Sequence, residues 1–208
     1  MKKIFFLIIS ILIFQNLSLA DNIKNFKIEG MKLGDSALDY FSESQLEDYE
    51  QGWHNYNYNE YSTSYMPGKG IYNWFLVSYK NDDSNFIIEG LAGGLEKKNY
   101  DIKECNNNLD VTALNISELF KNTPQEEKKS YELAQDAVRT YPFTGKSTVT
   151  SLSFNFLDGA KIILACYKMD KEAKKNESFL KSVLKQNDSF RIDVRSSAFV
   201  NYLQKLNL

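Results

Sequence analysis

The clearest pattern in the chain is a set of apolar residues at helical spacing between positions 102 and 120. Side chains that recur every three or four residues lie on one face of a helix. Asp101 can cap this helix, Glu104 would complete a capping box, and Asn122-Thr123-Pro124 ends it. The predicted apolar face consists of Ile102, Cys105, Leu109, Ala113, Ile116 and Phe120.

A period of two predicts a β-hairpin farther along the chain. Thr150, Leu152, Phe154 and Phe156 alternate with polar residues, so that one face of this strand is apolar. Asp158-Gly159 is a preferred two-residue hairpin turn. The segment Lys161–Lys168 is apolar on both faces and should lie inside a sheet. We therefore predict that residues 147–157 pair antiparallel with residues 161–168.

Other segments complete the predicted set of elements. Ser44-x-x-Glu47 has the form of a capping box and would open a short helix through about Tyr49. The glycine-rich stretch Gly90 to Gly94 suggests a bulge or a close approach of the backbone. Further strands are expected at Phe26–Ile28, Glu60–Met66, Ile71–Lys80, Phe86–Leu95 and Phe190–Val194, and further helical segments around Ala37–Phe41, in part of Gln125–Ala137, near Ser178–Leu184 and at Ser197–Leu206.

These elements predict an α+β fold. We expect an antiparallel sheet of about five to seven strands with helices on one face. Residues 21–208 should form a single domain. Within it, residues 21–59 are either part of the main body or an N-terminal extension or lid.

The first twenty residues have the pattern of a cleavable signal peptide. Lys2 and Lys3 precede an apolar run from Ile4 to Phe14, and Ser18-Leu19-Ala20 supplies small residues for a signal peptidase. A membrane-spanning helix needs about 20 apolar residues, and this run is much shorter. The sequence thus predicts a soluble exported protein, periplasmic or secreted, that begins near Asp21.

Charge narrows the choice of partners. Loss of two lysines with the leader lowers the basic residues from 25 to 23, against 27 acidic ones. A net charge of about −4 without blocks of one sign disfavours nucleic acid and anionic lipid as partners. The 22 lysines against three arginines, together with 20 asparagines, are typical of a low-GC bacterial genome.

Two cysteines, Cys105 and Cys166, lie in the exported part of the chain. Disulfides persist outside the cytoplasm, and a bridge closing about 60 residues would contribute roughly 4 kcal/mol. The alternative is a pair of buried free thiols, because cysteine packs as a small hydrophobic residue. We expect the bridge, with the first turns of the predicted helix lying on the Lys161–Lys168 strand.

Three motifs suggest chemistry but do not define a catalytic or metal site. Gly34-Asp35-Ser36 resembles the nucleophile block of secreted GDSL esterases, whose general base is a histidine near the C-terminus; His54 is the sole histidine here. Ser36 is therefore expected to cap a helix. Gly145–Thr148 matches the end of a phosphate-binding loop, but position 140 is Thr and a strand follows. With one histidine and paired cysteines, a transition-metal site has too few ligands.

Acidic residues give no better candidate. The loop Asn81–Asn85 lacks the glycine and the distal glutamate of a calcium loop. Asp35, Asp39 and Glu43 are the nearest candidates for a catalytic carboxylate pair, but their positions are typical of caps and solvated faces. We predict no catalytic residues, no cofactor and no metal.

One aromatic segment is a candidate binding surface. Trp53, Tyr56, Tyr58 and Tyr61 lie among asparagines, and exposed Tyr and Trp are enriched in contact surfaces. The alternative is a strand whose tyrosine rings pack against helices.

Two stretches, Ile28–Ser42 and Gly145–Cys166, resemble small exported proteins of low-GC marine bacteria that have no assigned function. The resemblance implies an exported α+β domain and carries over no catalytic residue. In addition, Gly30-Met31 before a short helix is similar to envelope assembly lipoproteins of the BamE type.

The function expected from these features is non-enzymatic binding of a protein partner or a small ligand in the periplasm. The alternative is a periplasmic hydrolase whose site has no recognisable sequence motif.

Overall fold

A computed structural model describes residues 22–48, 60–68, 70–96, 101–132, 147–169 and 188–206. Its seven strands form one antiparallel sheet, which confirms the predicted α+β class. The strands are β1 (Tyr61–Pro67), β2 (Trp74–Lys80), β3 (Gly90–Glu96), β4 (Lys129–Glu132), β5 (Thr148–Asn155), β6 (Lys161–Lys168) and β7 (Ser189–Arg195), and the α-helices are α1 (Glu43–Asp48), α2 (Ile102–Leu119) and α3 (Ser197–Lys205). The strand order is β1-β2-β3-β7-β6-β5-β4.

The sheet has two faces that differ in character, and we call them inner and outer. The inner face carries the apolar side chains of alternate positions, among them Val77, Leu91, Leu164 and Ile192, which are at most 2% exposed. Helix α2 packs on this face against β6 and β7, and α1 packs beside β1. Burial of this face supplies most of the hydrophobic stabilisation of the fold.

Helix α3 lies at the β1 end of the outer face. Its Phe199 ring occupies the space above Gly90 and Ser78, where a Cβ at Gly90 would stand 2.7 Å from the ring. Phe199 and Tyr202 also pack on Tyr61 of β1. Helices α1 and α2 therefore cover the inner face, as predicted. Helix α3 instead packs on the outer face, over one end of the sheet.

The N-terminal residues belong to the main core. Short 3₁₀ helices span Ile23–Asn25 and Ala37–Asp39, and α1 follows. Of the described residues in 22–48, those buried in the main core are Ile23, Ile28, Met31, Leu33, Ala37 and Leu46.

The capping box that opens α1 is not the predicted one. The Ser42 N–H donates to Gln45 Oε1 at 2.9 Å, and the Gln45 N–H donates to Ser42 Oγ at 3.3 Å. Both Ser42-x-x-Gln45 and Ser44-x-x-Glu47 fit the sequence pattern. A helix starting after Ser42 carries Leu46 in its first turns, and Leu46 is fully buried. Helix α1 thus starts two residues earlier than predicted, and this start is accompanied by burial of the Leu46 side chain.

The predicted hairpin is confirmed in its pairing. Strand β5 pairs antiparallel with β6, and β6 lies inside the sheet between β5 and β7. The turn is one residue longer than predicted, because the Phe156 N–H donates to Ala160 O and the Gly159 N–H donates to Phe156 O. Gly159 has a φ of 89°, which is typical of three-residue hairpin loops that end in a left-handed residue.

Two segments differ in type from the predicted secondary structure, and two predicted strands begin later than expected, β2 at Trp74 and β3 at Gly90. The helix expected in part of Gln125–Ala137 is wrong for residues 129–132, which form β4 and pair with β5. The free edge of β5 offers backbone partners there, and Ser130 and Thr150 join their hydroxyls at 2.8 Å. The strand expected at Phe26–Ile28 reduces to an isolated bridge between Ile28 and Met31.

Several predictions fall outside the described residues. They are the signal peptide, the continuation of the Gln125–Ala137 segment beyond residue 132, and the helix near Ser178–Leu184. Within the described ranges, no helix is both long and apolar enough to cross a bilayer.

Candidate binding surface on the outer face of the sheet

The predicted disulfide is present. Cys105 in the first turn of α2 is bridged to Cys166 of β6, with their Cα atoms 5.9 Å apart. Both residues are at most 1% exposed. The bridge fixes α2 on the inner face and is shielded from solvent, so it acts as a structural link.

The predicted aromatic binding segment is described only at its end. Trp53, Tyr56 and Tyr58 lie outside the described residues. Tyr61 is 6% exposed and packs with ring centroids 5.1 Å from Phe199 and 4.7 Å from Tyr202. Its burial, aided by nearby carboxylates, raises the pKa of the phenol to about 12. Tyr61 is thus a packing residue.

The Gly34-Asp35-Ser36 segment has a structural role. Ser36 Oγ accepts from the Leu38 N–H and donates to Asn85 O at 2.6 Å, so Ser36 caps a 3₁₀ helix as predicted. Asp35 accepts a 2.6 Å hydrogen bond from the Tyr40 hydroxyl, which raises the pKa of Tyr40 to about 12. Residue Asp39 is exposed.

A cluster that sequence reasoning missed lies on β7. Arg191, Asp193 and Arg195 occupy alternate positions, so all three point to the outer face. Both arginines donate from Nη2 to the same oxygen, Asp193 Oδ2, at 2.8 and 2.7 Å. The Asp193 side chain is 8% exposed, and each arginine side chain is 25% exposed. The result is a carboxylate held between two converging guanidinium groups.

The position of β7 and the two flanking arginines explain why Asp193 is buried. β7 is the middle strand, with β3 on one side and β6 on the other. Asp193 is paired in register with Ala92 of β3 and Ile163 of β6, which bring little polar surface to it. Burial raises the pKa of Asp193, but the charges and hydrogen bonds of Arg195 and Arg191 outweigh it and hold the pKa below its ordinary value.

Trp74 extends the cluster toward β1. The Trp74 indole lies over Gly94, where a Cβ would overlap the ring. This position brings the indole beneath the Arg191 guanidinium, 5.9 Å from the ring centroid, and lets Nε1 donate to Glu96 at 2.8 Å. The Tyr65 ring stacks on the Trp74 indole, and the two ring centroids are 6.0 Å apart. The glycine-rich strand predicted to allow a close approach does so here for an aromatic side chain.

Polar side chains also continue from β7 in the other direction. Arg195 pairs in register with Lys161 of β6, and Lys161 pairs with Asn155 of β5. Asn155 Nδ2 and Ser153 Oγ donate to Glu126 at 2.8 and 2.7 Å. These hydrogen bonds hold the pKa of Glu126 below its ordinary value, and the charge of Lys161 lowers it further.

Two buried polar atoms in this row have no hydrogen-bond partner in the described part of the protein. They are Nε of Arg195 and Oδ1 of Asn155. One is a donor and the other an acceptor. Buried polar groups are paired in most proteins, so such exceptions require an explanation.

A sequence signal for this cluster existed. Two of the chain's three arginines stand at positions 191 and 195, either side of Asp193, the first inside the predicted strand Phe190–Val194 and the second directly after it. In a chain with 22 lysines this use of arginine indicates planar, multidentate hydrogen bonding, which lysine cannot provide.

Comparison with protein-family models, with curated proteins and with solved structures finds no match to this chain. Over the described ranges, His, Cys, Asp and Glu side chains form no group of three or more placed to hold a metal ion. The site must therefore be interpreted from its own geometry.

Proposed function

We propose that this chain is an exported, non-enzymatic binding protein whose contact surface is the outer face of the sheet around β7. The single observation that carries the proposal is the Arg191–Asp193–Arg195 cluster beside Trp74. It places two arginines, each with a side chain 25% exposed, on the middle of one face, with the buried Trp74 indole packed beneath Arg191. Arginine is among the side chains most enriched where proteins bind partners.

Energetics support a role beyond stability. Charged groups lose hydration when buried, and replacement of a buried ion cluster by apolar side chains is often neutral or stabilising. A lysine-rich chain that places two arginines and an aspartate at its central strand therefore retains a costly arrangement. Binding of a partner at that place gives a physical reason for it.

Two features support export. The first twenty residues have the charge and apolar pattern of a cleavable leader. The Cys105–Cys166 disulfide is of a kind that persists in oxidising compartments. We expect fractionation of a bacterial host to recover the chain in the periplasm or medium. Its measured mass should correspond to a chain that begins near Asp21. Recovery of the uncleaved chain in the cytoplasm would contradict this part of the proposal.

The binding proposal is tested by thermal unfolding of residues 21–208 with the disulfide formed. The probes are neutral sugars, free amino acids and small carboxylic acids, each added separately. A ligand present at about 100 times its Kd adds about 2.7 kcal/mol to the free energy of unfolding, which raises Tm by several degrees. We expect at least one class of probe to do so.

Two variants assign the response to a face. Arg195→Lys keeps the charge but loses the guanidinium that donates to Asp193, and we expect it to weaken the response. The control variant is Lys103→Gln. Lys103 belongs to α2, which packs on the inner face of the sheet, so this variant should leave the response unchanged. Equal responses in both variants, or no response of the wild type to any class, would contradict the proposed surface.

A further inference from the structure

We infer that the outer face holds a site for a small carboxylic acid with a hydroxyl or amino group beside its carboxylate, bound between Arg195, Lys161 and Asn155. The inference rests on the proposed function and names the chemical class of its ligand. No residue of the Cys105–Cys166 link takes part in it.

The three residues stand next to one another. The register pairs Arg195 with Lys161 and Lys161 with Asn155 on three neighbouring strands. Neighbouring strands are about 4.8 Å apart, so the outer two backbone positions are about 10 Å apart. This span fits a molecule of a few heavy atoms and is too short for an extended polymer segment lying across the strands.

The two unpartnered atoms define the hydrogen bonds that a ligand would make. Arg195 uses Nη2 for Asp193, and its Nε has no acceptor among the described residues. Asn155 uses Nδ2 for Glu126, which leaves Oδ1 without a donor. A carboxylate accepts from the guanidinium, and a neighbouring hydroxyl or ammonium donates to the amide oxygen. A single 2-hydroxy or 2-amino acid provides both groups.

Charge favours a monoanion. The two cations at the site are each offset by a neighbouring carboxylate, Arg195 by Asp193 and Lys161 by Glu126. A singly charged carboxylate adds one negative charge beside Arg195 and Lys161. A phosphate dianion would add two and would be repelled more strongly by the carboxylates of Asp193 and Glu126.

In the strand register Lys161 lies between Arg195 and Asn155, and it is half-buried. Because Arg195 Nε and Asn155 Oδ1 are both covered, a ligand must displace a side chain to reach them. Rotamer changes at binding surfaces are common. The Lys161 side chain is flexible, so we expect it to swing outward and place its ammonium over the bound carboxylate.

The test is a titration of the ¹⁵N-labelled, disulfide-bonded wild type, residues 21–208, observed by NMR. The probes are glycolate, acetate and inorganic phosphate. Glycolate and acetate differ by one hydroxyl, so their comparison measures the donor to Asn155. We expect saturable shifts of β6 and β7 amides, with glycolate bound about tenfold more tightly than acetate and phosphate bound most weakly.

Three variants separate the contributions without touching the Arg–Asp cluster. Lys161→Gln should weaken glycolate binding about fivefold or more. The matched control Lys129→Gln makes the same charge change on the same face beside Glu126 and should alter binding less than twofold. Asn155→Ala should leave acetate binding unchanged and remove the preference for glycolate. An unchanged Tm shows that each variant is folded.

Several results would overturn the inference. They are phosphate binding more tightly than either acid, equal binding of glycolate and acetate by the wild type, or equal effects of Lys161→Gln and Lys129→Gln. A thermal response to neutral sugars alone, with no saturable shift by any acid, would overturn it while leaving the proposed binding function intact.

Discussion

Replacement of Gly94 by alanine tests how the outer face is built. Gly94 lies on β3 beneath the Trp74 indole, and a Cβ there would overlap the ring. The backbone of Gly94 is outside the left-handed region, so alanine can adopt its conformation. The substitution therefore perturbs packing and leaves backbone geometry alone.

The expected cost follows from the contacts of Trp74. Alanine in a strand is normally better than glycine by about 0.5–1 kcal/mol. Here the indole must leave its place, which breaks the Nε1 hydrogen bond to Glu96, worth about 1 kcal/mol. It also loses the cation–π contact with Arg191, about 0.5–1 kcal/mol, and strains the core by about 1–3 kcal/mol. We expect a net loss of about 1.5–4.5 kcal/mol.

Urea unfolding followed by far-UV circular dichroism measures this loss, and near-UV circular dichroism reports the indole environment. Gly93→Ala is the matched control, because its Cβ would point to the inner face and meet the Tyr72 ring at 3.0 Å and Ile28 Cγ2 at 3.2 Å, which is contact without the overlap at Gly94. Tyr72 is only partly buried and can shift, so we expect the control to change stability by less than about 1 kcal/mol. Equal stability of the two variants, or an unchanged near-UV spectrum for Gly94→Ala, would refute this account of the outer face.

Three further predictions concern the link, the buried acid and α3. The double variant Cys105→Ala/Cys166→Ala should lose about 4 kcal/mol in urea unfolding, because the bridge spans 61 residues; a loss below about 1 kcal/mol would contradict the chain-entropy estimate. The pKa of Asp193 lies below its ordinary value of 3.8 when folded, so its contribution is complete above that pH and is lost as pH falls toward the folded value. Asp193→Asn should lower the free energy of unfolding by about 3–5 kcal/mol at pH 7 and reduce its decrease at acidic pH. If the decrease at acidic pH is unchanged in this variant, other groups cause it. Tyr61→Ala should cost about 3–4 kcal/mol through lost ring packing on Phe199 while Tyr61→Phe costs less than 1, and equal costs would assign the effect to the hydroxyl.

Local pattern was sufficient where one element interacts with its sequence neighbour. The face of α2 follows from its apolar spacing, and its buried members include Leu109 and Ile116. The β5–β6 hairpin follows from alternation around Asp158-Gly159. The bridge was predicted because the chain has two cysteines and an expected export signal, and the placement of Cys105 on the buried face of that helix and Cys166 on an interior strand agreed with it.

Long-range pairing was the information that local pattern lacked. β4 has the polar sequence Lys129–Glu132 and forms a strand because the edge of β5 supplies its hydrogen bonds. The burial of Asp193 likewise depends on which strands flank β7, and neighbours in sequence do not reveal this. Only the spacing of Arg191 and Arg195 hinted that the strand has an unusual outer face.

The strand order has a consequence for how the chain reaches this fold. β1 to β3 form one antiparallel meander and β4 to β6 form another, and β7, which follows them in sequence, lies between them. During N-terminus-first synthesis, both meanders emerge before the strand that joins them. Each then presents an unpaired strand edge to the other and to neighbouring chains, which is a risk of misassembly. β7, the last of the seven strands in sequence, therefore joins the two meanders into one sheet. The same strand carries Arg191 and Arg195 of the outer face.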